Sequence, residues 1–146
     1  MTEKIRETLR DSKKARWTAL ALASFTMMCG YFFADVMSPL KGLLEGQIGW
    51  TSSDYGTFTS AYGWFNVFLL MLILGGIILD KVGVRITGFG AALIMVIGTA
   101  IQYWAISSST LQGSSILGIK SQVFFASIGY ATFAVGVEVA GITVTK

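Results

Sequence analysis

Four long runs of this sequence carry no charged side chain: between Arg16 and Asp35, Asp54 and Asp80, Arg85 and Lys120, and Lys120 and Glu138. A helix on the surface of a soluble protein would show a polar face at every turn. Crossing about 30 Å of hydrocarbon instead takes roughly 20 mostly apolar residues, and each run accommodates one such segment. Lipid offers backbone groups no hydrogen bonds, so segments of this kind fold as helices that satisfy their own. The expected fold is therefore all-α, a polytopic membrane helical bundle. Its helices are expected at about 17–37, 55–79, 86–106 and 119–145, behind a polar, solvated N-terminal segment, 1–16.

Orientation follows from where the basic residues fall. With the N-terminus inside, Lys4, Arg6, Arg10, Lys13, Lys14, Arg16, Lys81, Arg85 and Lys146 lie on the cytoplasmic side, and Lys41 and Lys120 lie outside. That asymmetry predicts a cytoplasmic N-terminus and residence in the cytoplasmic (inner) membrane. The first apolar stretch exceeds a signal-peptide core and lacks a small-residue cleavage site, so it is read as a retained helix. The basic residues are not interleaved with aromatics along one face, which argues against nucleic acid as a partner.

The chain has no histidine and one cysteine, Cys29. Imidazole acid–base chemistry, the H-E-x-x-H metal motif and Ser-His hydrolysis are thereby removed. Neither a nucleophile–base pair nor a metal-ligand cluster is visible, so no enzyme activity, metal or cofactor is expected.

Between the helices, Pro39 can end or kink the first. Residues 41–53 read as an outer loop with Trp50 as an aromatic anchor, and Ser52 or Ser53 with Asp54 can cap the second helix. Ser107 to Ser115 read as a second outer loop. Gly88, Ala92, Gly98 and Ala100 offer close packing along the third helix.

The short turn between the second and third helices, Gly75 to Gly88, carries Asp80, Lys81 and Arg85. An aspartate at a helix C-terminus faces the negative end of the dipole, so Asp80 needs a positive partner. Arg85 across the turn would serve, or the N-terminus of another helix. Gly83 can supply the left-handed geometry of a tight reversal, and Gly76 could admit a close backbone neighbour. The order Gly76, three residues, Asp80-Lys81, one residue, Gly83, one residue, Arg85 resembles the G-x-L-x-D-R-x-G-R-K loop of major facilitator superfamily transporters. Ile78 replaces the usual Leu, Lys81 the Arg, and Val84 the first of two basic residues. The resemblance implies a secondary transporter working by alternating access, in which Gly76, Asp80, Lys81, Gly83 and Arg85 form part of a conformational latch.

Polar residues inside the runs are the candidate pathway. Tyr55, Thr59, Tyr62 and Asn66 recur at helical spacing and share one face, Tyr62 and Asn66 lying deeper. Glu138, which closes the fourth run, is expected deep in the fourth helix, where an ionised carboxylate costs about 2.5–3.5 kcal/mol to insert. Its expected role is proton coupling or pairing with a cationic substrate group, with a structural acid as the alternative. Ser127, Ala131, Ala134, Gly141 and Thr145 share its face and are expected to form a small-residue groove beside it. Asp35, with Tyr31 one turn earlier, lies at the matching place in the first helix, and family members relate helices 1 and 4 by an inverted repeat. Aligning the family's R-x-x-Q-G on Gly129 puts Phe125 at the arginine and Ile128 at the glutamine, which departs from drug/proton antiporters. Tyr62-Gly63-Trp64-Phe65-Asn66-Val67, then Gly75-Gly76 and Asp80, is similar to the branch of lysosomal dipeptide carriers. That similarity implies a small solute, peptide or amino-acid-like, with protons as a further partner.

Family members have two halves of six helices, so the four read here correspond to the N-terminal part. The remaining C-terminal helices of the same transporter, and the lipid bilayer, are then partners. Two other readings stay open at this point: a complete four-helix protein acting as a dimeric small exporter, and a non-transporting membrane scaffold.

Overall fold

A computed structural model describes residues 12–144. Most of the segment expected at 1–16 lies outside the described residues, as do Thr145 and Lys146. Six helices follow one another: α1 (Lys13–Asp35), α2 (Lys41–Gln47), α3 (Ser52–Phe68), α4 (Met71–Val82), α5 (Val84–Ser107) and α6 (Ser121–Val144). A 3-10 turn at Ser109–Leu111 and a two-stranded hairpin, β1 (Ser115–Ile116) with β2 (Ile119–Lys120), join α5 to α6. Helices α1, α5 and α6 are each long and apolar enough to cross a membrane, and α3 and α4, bent by 55° at the short break between them, are so when taken together. The protein is an integral membrane helical bundle.

The bend departs from the single helix expected at 55–79. Its cause is Leu70, at φ 47° and ψ 47° in the left-handed region, which costs a non-glycine residue about 1–2 kcal/mol. There the Leu70 N–H donates to Val67 O at 3.2 Å, a tighter turn than an α-helix makes, and α4 restarts beyond it. The bend lays Gly75 and Leu79 of α4 against α6, and both are buried. A Cβ on Gly75 would come within 2.9 Å of Ile142 Cδ1, whereas one on Gly76 would meet nothing within 4 Å. The close backbone neighbour expected at Gly76 is not found there, and Gly75 beside it meets the side chains of Ile142 and Val139 rather than a backbone.

The central helix is α6. It is apolar on every face, the mark of a helix enclosed by others, and 72% of its most apolar window is buried against 6% for α1. Its tightest partner is α5. A Cβ on Gly129 would stand 2.8 Å from both Gly98 O and Gln102 N, and one on Gly136 would stand 2.7 Å from Ala91 O. Gly98 faces the backbone of Phe133 as closely. Backbones that approach this far replace side-chain packing with direct van der Waals contact, the usual basis of helix pairing in lipid. Of the small residues expected to do this in α5, Gly98 does. Gly88 borders open space, and Ala92 and Ala100 are exposed.

Residues expected as outer loops are more ordered than loops. Trp50 is buried, 3% exposed, edge-on to Phe58. The cap of α3 is Thr51 rather than a serine: Asp54 N–H donates to Thr51 Oγ1, and Thr51 N–H donates back to Asp54 Oδ2, a capping box. Lys120, at the base of the hairpin, pairs with Asp54 at 2.8 Å and donates to Gly49 O at 2.6 Å. The start of α6 is thus tied to the start of α3.

Candidate functional site

The α3 face anticipated from spacing divides by partner. Tyr55 Oη donates to Met37 O at 3.0 Å, beyond the end of α1. Thr59 spends its hydroxyl on Tyr55 O and Gly56 O within its own helix. Tyr62 Oη donates to Glu138 Oε1 at 3.3 Å, joining α3 to α6. Asn66 donates from Nδ2 to Tyr62 O, while its Oδ1 is buried with no hydrogen-bond partner among the described residues.

Glu138 and Tyr62 are both half-buried. An intramembrane carboxylate is expensive unless it is hydrated or hydrogen-bonded, and the phenol supplies one bond of that kind. Tyr31, 48% exposed, and Asp35, exposed at the end of the helix, stand on α1. The five residues anticipated as a pathway therefore come from three helices. Tyr62 touches Glu138, Asn66 is bonded to the Tyr62 backbone, and Tyr31 and Asp35 stand on the neighbouring α1.

An aromatic column, not anticipated from the sequence, leads to this pair. Phe58 stacks on Tyr130 with centroids 4.8 Å apart, Tyr62 lies 5.6 Å from the same ring, and Phe133 is parallel to it at 6.3 Å. Tyr130 Oη donates to Ala34 O at 2.9 Å, fastening α6 to α1 beside Asp35. The signal for it was the spacing of Tyr130 and Phe133 on α6, which hydropathy alone does not separate from lipid-facing aromatics. The groove anticipated beside Glu138 is filled over much of its length. Ser127, Ala131 and Ala134 are 0% exposed, packed into helix interfaces rather than lining open space.

The residues expected to form a latch lie along the second half of α4, in the α4–α5 turn and at the start of α5. Gly83 joins α4 to α5 at φ 90° and ψ 159°, a combination open essentially to glycine alone. Thr87 Oγ1 donates to Gly83 O at 2.9 Å and holds the turn. Asp80, Lys81 and Arg85 are exposed; Lys81, in the last turn of α4, suits the negative end of that helix. Among the described residues, Lys41–Glu45 and Lys120–Asp54 form ion pairs. No three of His, Cys, Asp and Glu come together among the described residues in a way that would hold a metal ion.

Over 101 residues, 68% of its length, the chain is 34% identical to a rice (Oryza sativa subsp. japonica) protein described as probable anion transporter 2, chloroplastic. It spans 18% of the length of that relative. No family model and no solved structure matches the chain.

Proposed function

We propose that this chain forms the N-terminal spans of a secondary transporter of the major facilitator type, moving a small solute by alternating access, with Glu138 as the ionisable group of its pathway. The observation that carries this reading is the Tyr62–Glu138 hydrogen bond between α3 and α6. It gives an intramembrane acid a partner that a solute or a proton can displace. Likeness to a probable anion transporter supports membrane transport, and the order Gly76, Asp80, Lys81, Gly83, Arg85 in the α4–α5 turn supports the superfamily.

The wall formed by these spans suits a solute with an amino group. Its charged groups are acids, Asp35 and Glu138. A peptide or amino-acid-like zwitterion fits this wall by its ammonium end, and a proton is the alternative occupant of Glu138. The anion class of the rice relative would need basic groups that these spans do not place beside Glu138, so an anionic end would be held by other helices of the same transporter. The turn residues Asp80 and Arg85 act as the latch between states.

The test is uptake into proteoliposomes by the complete transporter carrying Glu138→Gln. The reading expects coupled uptake to fall at least about tenfold, a loss of about 1.4 kcal/mol. Unchanged uptake across the pH range would remove Glu138 from the pathway.

A further inference from the structure

A cleft of about 310 Å³ opens between the middle of α1, the first half of α5 and the last turns of α6. That volume falls at the lower end of small-ligand sites, about 300–1,000 Å³. Its walls include Ala23 and Thr26 of α1, Val84, Gly88 and Ala92 of α5, and Thr143 of α6. Both hydroxyls are already spent on backbone: Thr26 donates to Leu22 O at 2.9 Å, and Thr143 to Val139 O at 2.9 Å and Ala140 O at 2.6 Å. An occupant therefore meets hydrocarbon and no unspent side-chain donor. A polar solute would leave its own groups unpaired there, whereas an acyl chain has none to pair.

The mouth of the cleft is basic. Arg85 follows the lining residue Val84, and Arg16 lies seven residues before Ala23, on the same face of α1. Lys13 and Lys14 begin α1 and Lys81 lies in the last turn of α4, against one described acid, Asp80. Neither Arg16 nor Arg85 forms a salt bridge with a described residue. Guanidinium groups bind phosphate with paired, charge-assisted hydrogen bonds, and basic pockets between membrane helices are a recognised setting for anionic headgroups.

We infer that this cleft holds an acyl chain of one anionic phospholipid, whose phosphate is met by Arg16 and Arg85. The inference stands on the membrane bundle alone and is independent of the transport reading. It is tested by native mass spectrometry of the full chain released from nanodiscs of dioleoylphosphatidylglycerol or dioleoylphosphatidylcholine. One phosphatidylglycerol per chain is expected, retained at least about fivefold more than phosphatidylcholine, the preference that one basic side chain confers. Arg16→Gln combined with Arg85→Gln is expected to erase that preference. Gly88→Leu, which adds a side chain where a Cβ meets nothing within 4 Å, is expected to lower retention of both lipids. Ala92→Phe, at an exposed lining position, repeats the filling should Gly88→Leu fail to fold. Equal retention of the two lipids, retention unmoved by filling, displacement by glycerol phosphate alone, or a second protein helix crosslinked into the cleft would each overturn the inference.

Discussion

The Tyr62 hydroxyl lies 3.3 Å from Glu138 Oε1, a hydrogen bond between α3 and α6 that closes 76 residues of sequence. Its donor also stands 5.6 Å from the Tyr130 ring, so one side chain connects the aromatic column to the acid. Removing the hydroxyl alone should show what the acid gains from it. Tyr62→Phe is expected to lower stability in detergent by about 1.5–3 kcal/mol, the range for a hydrogen bond to a charged group. In a Glu138→Gln background the same change should cost about 1 kcal/mol or less. Equal costs in the two backgrounds would mean that the pair is not coupled.

Close approach of α5 and α6 predicts that glycines on these two helices will respond in opposite senses according to what faces them. Gly129→Ala puts a methyl group 2.8 Å from two backbone atoms and should destabilise by about 1–3 kcal/mol, the cost of overpacking. Gly88→Ala, where nothing lies within 4 Å, should be neutral or stabilise by up to about 1 kcal/mol through helix propensity. Thermal unfolding in detergent measures both.

The tie between the hairpin and α3 is a partly exposed ion pair built on a helix cap. Lys120→Met should therefore cost about 1 kcal/mol or less, as exposed pairs do, and the loss should shrink at high salt. Asp54→Ala removes the capping-box partner as well and should cost more, about 1–2 kcal/mol. A larger loss from Lys120→Met than from Asp54→Ala would contradict this order.

Leu70 holds a left-handed conformation that glycine adopts without strain. Leu70→Gly is expected to leave stability unchanged or raise it by up to about 1 kcal/mol, against the usual destabilising effect of glycine in a helix. Spin labels on α3 and α4 should report the same bend in both proteins. Straightening of the helix in the wild type under lipid would remove the basis for this expectation.

Legibility from sequence was uneven. The spans were readable because charge exclusion is a property of each segment alone, and α1, α5 and α6 each carry it. Gly83 was readable as a positive-φ position, since a reversal this short between two helices leaves few alternatives to glycine. Glu138 stood out as a carboxylate in a run without other charge. The choice of Gly75 over Gly76, and of Gly98 over Gly88, could not be read, because it depends on how each helix is rotated towards its neighbour. The break at Leu69–Leu70 had no local marker either: no glycine or proline stands there.

What the sequence determined by itself was that the chain forms apolar helices suited to a membrane, and which carboxylate stands among their apolar residues. Each is fixed by the transfer energy of one segment between water and lipid. The tertiary structure decided that α6 lies at the centre, that α3 and α4 part at Leu70, and that Tyr62 is the side chain that reaches Glu138. Those outcomes rest on backbone contact between helices distant in sequence, and lipid, being as apolar as the helices themselves, does not select among their faces.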